Sequence, residues 1–142
     1  MLYLDSSSCL KLLWPEAESG AIATSLAEED DVCISRLTEL EVAVQLRAAW
    51  LGGEYSRAGY RAYHRRLQSF REQAPFRFRD LPGSTFGLAV DRLDQQDRVH
   101  LRTLDRLHLA AMEELGARRI MTHDRRLAEV ARDAGLTVLS PR

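Results

Sequence analysis

The chain has 142 residues, is 45% hydrophobic and carries a formal net charge of -1 at pH 7. This length and composition predict one domain, residues 1–142, with a sizeable core. No apolar run approaches the roughly 18 residues of a membrane span, and the first residues lack a signal-peptide pattern, so we expect a cytoplasmic protein that contacts no membrane. Cys9 and Cys33 lack zinc-ligand spacing and are expected to be buried reduced thiols.

Apolar segments alternate with amphipathic ones along the chain. In chain order the pattern predicts a strand in LYLD (2–5), helices in SSCLKLLW (7–14) and EAESGAIATSLAEED (16–30), a strand in DVCIS (31–35), helices in TELEVAVQLRAAWLGG (38–53) and EYSRAGYRAYHRRLQSFREQAP (54–75), an edge strand in FRFRDL (76–81), helices over 84–96 and 101–115, a strand in RRIMTHD (118–124), a helix in DRRLAEVARDAG (124–135) and a strand in LTVLS (136–140). Strands that alternate with helices indicate crossover connections. The sequence therefore predicts an α/β fold with a mostly parallel central sheet covered by helices on both faces.

Two carboxylates stand where predicted strands end. Asp5 closes the first strand and Asp124 closes the strand in RRIMTHD. Ligands of parallel sheets bind beyond the carboxyl ends of the strands, which makes both residues candidates for a binding site. Each is equally well explained as the N-cap of the following helix. Ser6, Ser7 and Ser8 offer an alternative cap for the first helix, which would free Asp5 for another role.

Asp105 lies on the apolar face of a predicted helix, together with Leu101 and His108. A buried carboxylate is costly unless its charge is compensated. A salt bridge to Arg102 or Arg106 at the rim is the simpler explanation, and a role in a site is the other.

A fourth carboxylate, Glu41, has Leu37 one helical turn before it and Val44 one turn after it. Glu39 also has apolar neighbours at helical spacing, so periodicity leaves the choice between the two glutamates open.

Convergence of four carboxylates would raise some of their pKa values or recruit cations. An all-oxygen site favours Mg²⁺ or Mn²⁺ over zinc. Such an ion can activate water and neutralise the charge that develops on a phosphodiester, so we expect phosphodiester hydrolysis.

The segments LYLDSSSCLKLLWPE, ISRLTELEV and LRTLDRLHLAAMEELGARRIMTHDRRLAEVARDAGLTVL together resemble a PIN-domain protein, most of all a VapC-type toxin ribonuclease of a bacterial toxin-antitoxin pair. The resemblance implies a PIN-like three-layer α/β/α fold. It is weakest over about residues 52–99. Within that part, residues 52–80 are expected to form a helical, Arg-rich, insertion-like segment of the single domain.

The resemblance also implies which residues form the site. Asp5, Glu41, Asp105 and Asp124 correspond to an acidic quartet that binds one or two Mg²⁺ or Mn²⁺ ions and carries the catalysis. Glu41 is preferred to Glu39 because it follows Thr38 by three residues, the usual family register. Hydroxyls that support the site are expected from two further residues, Ser7 and Thr122. Arg126 departs from the pattern, because many relatives carry another acid there.

The same resemblance predicts an endoribonuclease that acts on tRNA or rRNA, forms a homodimer and is blocked by a cognate antitoxin protein. Arg57, Arg61 and Arg65 form one row of a helix with interleaved aromatic residues, a pattern that suits RNA phosphates and unpaired bases. A solvated helix face and a contact with the antitoxin are the alternatives for this row.

Two other functions stay open at this point. A non-cleaving RNA-binding scaffold of the same fold would use the same elements, although the presence of all four acids argues against it. A phosphatase-like domain would place a second Asp where Ser7 stands, and a receiver-like domain would carry a late Lys, whereas Lys11 is the chain's one lysine.

Overall fold

The computed structural model describes residues 1–95 and 100–142. Strands and helices alternate within these residues. They are β1 (Leu2–Leu4), α1 (Ser6–Leu13), α2 (Ser19–Ala27), β2 (Val32–Ser35), α3 (Arg36–Leu51), α4 (Arg57–Ser69), β3 (Phe76–Arg79), α5 (Thr85–Asp91), α6 (Thr103–Leu115), β4 (Arg119–Met121), α7 (Arg125–Asp133) and β5 (Thr137–Leu139). Short 3-10 turns at Phe70–Glu72 and Leu93–Gln95 follow α4 and α5.

The five strands form one sheet in the order β3-β2-β1-β4-β5, and every pairing between neighbours is parallel. This confirms the predicted parallel sheet and the edge position of β3. Because β1 lies at the centre, with β2 and β4 on either side, the carboxyl ends of these three strands meet at one edge of the sheet. That edge is where an open parallel sheet binds its ligands.

Helices cover both faces of the sheet, and the core divides accordingly. On one face Leu4, Leu46 and Met121 belong to one apolar cluster. On the other face Tyr3 and Ile120 belong to a second cluster. Successive residues of a strand point to opposite faces, so two clusters on one sheet define the expected three-layer α/β/α arrangement.

Cys9 and Cys33 are free and buried as expected. Burial raises the pKa of each thiol to about 12, so both are inert.

Several predicted helices are shorter in the structure, and the one expected over 16–30 covers only Ser19–Ala27. The helix expected over 54–75 begins only at Arg57, because Ser56 accepts a hydrogen bond from the Gly59 amide and so caps it. The helix expected over 84–96 ends at Asp91 and is followed by a 3-10 turn, and its last predicted residue lies outside the described residues.

The segment 52–80 contributes α4, a 3-10 turn and β3. Leu67 and Phe70 from this segment are buried in the core. In the ranges 1–95 and 100–142, none of the helices is long and apolar enough to cross a lipid bilayer.

Candidate active site

The four predicted carboxylates come from four elements at the carboxyl edge of the sheet. Asp5 directly follows β1 and Asp124 closely follows β4, whereas Glu41 lies on α3 and Asp105 in the first turn of α6. They are linked in two pairs. His108 contacts Asp5 and Glu41, and Arg102 contacts Asp105 and Asp124.

Asp5 is almost completely buried, and its two carboxylate oxygens have different surroundings. Oδ2 accepts hydrogen bonds from the hydroxyls of Ser7 (2.6 Å) and Thr122 (2.8 Å). Oδ1 has only a long contact with the Ser6 hydroxyl (3.4 Å) and faces His108 Nε2 at 3.5 Å. One oxygen is thus fixed by the protein, and the other is available to a ligand.

Asp5 is also the N-cap of α1, because its side chain accepts from the Ser7 amide. The expectation that a serine takes over this capping role is therefore wrong. The Ser7 hydroxyl instead supports Asp5 and accepts from the His123 amide (2.9 Å), and the Ser8 hydroxyl bonds His123 Nδ1 (2.8 Å).

Glu41 and Glu39 have different partners. Glu41 Oε2 lies 2.5 Å from His108 Nε2, beside Asp5. Glu39 points away from this group and pairs with Arg36 and Arg71. Partial burial acts to raise the pKa of Glu39, but hydrogen bonds from Gln68 and Arg71 outweigh it and lower that pKa. The geometry therefore assigns Glu39 to a surface ion-pair network and places Glu41 in the carboxylate cluster.

His108 is a central residue that sequence reasoning did not assign to the site. It is 1% exposed, and both of its ring nitrogens have partners. Since a carboxylate only accepts, Nε2 donates to Glu41; Nδ1 then accepts from the Tyr3 hydroxyl (2.8 Å) when the ring is neutral and donates to it when the ring is protonated. Burial acts to lower the pKa of His108, but the hydrogen bond to Glu41 and the charges of the nearby acids outweigh it and raise that pKa.

Tyr3 extends this network into the core, since its hydroxyl also contacts the Ser35 hydroxyl at 2.7 Å. The sequence signal for this network was a histidine three residues after Asp105 on the same buried face.

Asp105 and Asp124 are bridged by Arg102. Its Nε donates to Asp105 Oδ2 (3.0 Å), and its Nη2 donates to Asp124 Oδ2 (3.0 Å). The rim salt bridge that the sequence offered as the simpler explanation of Asp105 is therefore present. Asp124 is in addition the N-cap of α7, because its Oδ1 accepts from the Leu127 amide.

The donor set of the cluster fits a divalent cation. One ligand atom each from Asp5, Glu41 and His108 lies within 4.8 Å of the other two. Because His108 Nε2 donates to Glu41, carboxylate oxygens are the donors left for an ion, and such oxygens suit Mg²⁺ or Mn²⁺.

A groove of about 360 Å³ opens beside the cluster, between α1, α3 and α6. It reaches the site, since Ser7 and Glu41 are among its lining residues. Its outer wall is apolar, with Leu40 61% exposed and Val44 56% exposed. Isolated exposed apolar residues are ordinary, but a contiguous apolar wall indicates a surface for binding.

The arginine row of α4 is exposed, with Arg57, Arg61 and Arg65 all open to solvent. Arg57 lies over the Trp50 ring at 5.9 Å. Phe70, one of the aromatic residues interleaved with the row, stacks on Phe76 in the core, so it is not available to a base.

The comparisons with known proteins agree with this geometry. A family model described as PIN domain matches residues 2–133. Ribonuclease VapC46 of Mycobacterium tuberculosis is 32% identical over 99% of this chain and 97% of its own length. Ribonuclease VapC35 of the same species is 31% identical over the same shares. The chain therefore belongs to the PIN-domain family, and its relatives within that family are VapC-type ribonucleases.

Solved structures show the same fold. VapC20 of M. tuberculosis, described as a sarcin-ricin loop cleaving toxin, superposes with a TM-score of 0.72 at 19% identity, covering 99% of this chain and 100% of that one. FitAcB from Neisseria gonorrhoeae gives 0.72 at 15% identity, with 99% and 98% covered. VapBC2 from Rickettsia felis, bound to a DNA fragment from their promoter, gives 0.69 at 14% identity, with both chains covered completely.

The resemblance read from the sequence is thus confirmed, and the expected class of enzyme with it, a VapC-type toxin ribonuclease. The phosphatase-like and receiver-like alternatives are set aside.

The buried network around His108 generates a prediction about stability. We expect Tyr3→Phe to lower the free energy of unfolding by about 1–3 kcal/mol, because it removes the hydrogen-bond partner of the buried His108 Nδ1 and one of the partners of Ser35 Oγ. Urea denaturation followed by circular dichroism measures the change. Tyr63→Phe is the control, since its hydroxyl has no recorded hydrogen bond within the described residues, and its effect should stay within about 0.5 kcal/mol. Equal losses in the two variants would contradict the network.

Proposed function

We propose that this protein is a Mg²⁺- or Mn²⁺-dependent endoribonuclease that acts as the toxin of a toxin-antitoxin pair. The observation that carries the proposal is the group of Asp5, Glu41 and His108, whose ligand atoms lie within 4.8 Å of one another, next to the pair Asp105 and Asp124 that Arg102 bridges. In the described residues this cluster is balanced by only two side chains, His108 and Arg102. Such a concentration of carboxylate oxygens suits divalent cations.

In this proposal the four acids hold one or two ions, and the ions supply an activated water and neutralise charge on the phosphodiester. The chain's own residues prepare the ligands. Ser7 and Thr122 fix one oxygen of Asp5, so the other oxygen keeps its direction. His108 holds Glu41 beside Asp5. These hydrogen bonds hold the ligands in place before an ion arrives, which lowers the cost of binding it.

The substrate class that we propose is cytoplasmic tRNA or rRNA. It is supported by the ribonuclease names of VapC46 and VapC35 and by the description of VapC20 as a sarcin-ricin loop cleaving toxin. The exposed row Arg57, Arg61 and Arg65 is our candidate for contacts with RNA phosphates.

We further propose that the apolar groove holds a segment of the cognate antitoxin. Its position supports this, because an occupant that fills the groove also covers Ser7 and Glu41 at the site. Blocking access to the carboxylates would explain inhibition without any change in the fold.

A homodimer is proposed through α5 and the turn after it. Phe86, Val90 and Leu93 are 61%, 64% and 46% exposed, which is unusual for large apolar side chains so close together. A second copy of the chain would remove them from water.

The nuclease proposal is tested with purified protein and total tRNA and rRNA. We expect cleavage with Mg²⁺ or Mn²⁺ and none with EDTA. Asp5→Asn and Glu41→Gln should each lower the rate by about 100-fold or more, the loss typical when a group that stabilises developing charge is removed. Mapping the RNA ends by sequencing identifies the target.

Glu39→Gln is the matched control for this experiment, since it removes a carboxylate from the same helix outside the cluster. Its rate should stay within a few-fold of the wild-type rate. Cleavage that persists in EDTA, or that is unchanged in Asp5→Asn, would refute the mechanism.

The arginine row makes a separate prediction. Arg61→Ala combined with Arg65→Ala should weaken RNA binding and lower the salt slope of the affinity by about two, one for each lost phosphate contact. Filter binding at several salt concentrations measures this slope. Arg118→Ala with Arg132→Ala removes two exposed charges elsewhere and should leave the slope unchanged. An unchanged slope in the first double variant would contradict the RNA contact and favour the alternative that the row is a solvated helix face.

The groove prediction compares one substitution in the apolar groove with one on the exposed apolar surface of α5. Val44→Asp should weaken binding of the protein encoded immediately upstream, the expected antitoxin, by about 10-fold or more, because it places a charge in an apolar interface. Val90→Asp should leave that affinity unchanged and shift the protein toward a monomer on size exclusion. Calorimetric titration of both variants distinguishes the surfaces. Equal weakening in the two would contradict the assignment of the groove.

A further inference from the structure

Arg102 holds an unusual position beside the carboxylate cluster. Its backbone is the N-cap of α6, yet its side chain makes no capping bond and reaches over the cluster instead. The guanidinium bonds Asp105 and Asp124, the two acids that His108 does not bond. The side chain is 64% exposed, whereas that of Asp105 is only 8% exposed. Arg102 therefore covers the site from the solvent side.

This bridge competes directly with an ion. The guanidinium bonds Oδ2 of Asp105 (3.0 Å) and Oδ2 of Asp124 (3.0 Å) and has a longer contact with Oδ1 of Asp105 (3.5 Å), and both residues belong to the proposed ligand set. An ion that binds both carboxylates needs these lone pairs. Since the guanidinium itself is 64% exposed, water can solvate it after it leaves the carboxylates, so its displacement by a divalent ion costs little.

If an ion displaces the Arg102 guanidinium from the carboxylates, its positive charge stays close to the site. The backbone of Arg102 stays anchored at the start of α6, so the freed guanidinium remains at the rim of the site. A planar guanidinium can bond two phosphate oxygens at once, which makes it a good ligand for a phosphodiester entering the cluster.

We propose that Arg102 is an exchangeable counter-ion, which bridges Asp105 and Asp124 in the metal-free protein and transfers to an RNA phosphate when a divalent ion takes these carboxylates. The proposal rests on the proposed metal-dependent ribonuclease function. It assigns one side chain two successive partners, so its removal should affect metal and RNA in opposite directions.

The first experiment measures Mn²⁺ affinity by calorimetric titration, without RNA. Arg102→Gln should bind Mn²⁺ about five-fold more tightly than the wild type, the factor that an exposed ion pair of this kind supports. Arg126→Gln is the matched control. Arg126 is an exposed residue two positions after Asp124 with no recorded ion pair in the described part of the chain, so its removal reports only the general loss of a charge. Arg102→Lys should remain near the wild type.

The second experiment measures RNA recognition with total tRNA. In Mn²⁺, Arg102→Gln should raise KM by about 10-fold because a charge-assisted phosphate contact is lost, and Arg102→Lys should restore part of it. In EDTA the dissociation constant for RNA should differ by less than two-fold between Arg102→Gln and the wild type, because the wild-type guanidinium is then held by the carboxylates.

Weaker or unchanged Mn²⁺ binding in Arg102→Gln would overturn the proposal and leave Arg102 as a structural support for the start of α6. If Arg102→Gln loses the same RNA affinity with and without Mn²⁺, Arg102 does not transfer from the carboxylates to RNA when the ion binds, and the proposal is overturned. If the wild type cleaves no RNA, the proposed function fails, and the Mn²⁺ titration still decides whether Arg102 competes with the metal.

Discussion

The meeting of four carboxylate-bearing elements at one edge of the sheet is the constraint on which this site depends. Parallel strands force the convergence, because the ends of β1 and β4 lie side by side and α3 and α6 pass beside them. Two side chains that donate hydrogen bonds, a histidine and an arginine, compensate the negative charge of these acids. His108 lies inside the cluster, where it is 1% exposed, and Arg102 lies outside it, where its side chain is 64% exposed.

Two of these acids, Asp5 and Asp124, combine helix capping with a place in the proposed site. Asp5 caps α1 and Asp124 caps α7, so each satisfies amide groups at a helix N-terminus while it takes part in the cluster. A carboxylate has two oxygens, and the structure uses them separately. Oδ2 of Asp5 receives the hydroxyls of Ser7 and Thr122, and Oδ1 of Asp124 receives the Leu127 amide. The helix-cap explanation is therefore confirmed for both residues, and it does not exclude the role in the site that we propose.

The sequence predicted those features of the site that depend on residues close together in the chain. The strand-end position of Asp5 and Asp124 could be predicted, because alternating strands and helices imply a parallel sheet whose carboxyl ends meet. The choice between Glu39 and Glu41 could not be made from periodicity, since both have apolar neighbours. It depends on contacts distant in sequence, from Gln68 and Arg71 to Glu39 and from His108 to Glu41. The role of His108 was missed for the same reason, because its hydroxyl partner Tyr3 is 105 residues away.

The two balancing side chains differ in how easily they can be exchanged. A buried hydrogen bond between charged or polar groups is strong because no water replaces a lost partner, whereas an exposed ion pair is screened and competes with water. The half of the cluster formed by Asp5, Glu41 and His108 is consequently held in place, with Tyr3 and Ser35 behind it. In the half formed by Asp105, Asp124 and Arg102, the Asp105 side chain is buried, and only the guanidinium that bridges the two acids is largely open to solvent. In the proposed function an ion or a substrate arrives from the solvent side and therefore meets the Arg102 half first, while the hydrogen bonds behind Asp5 and Glu41 keep the other half in place.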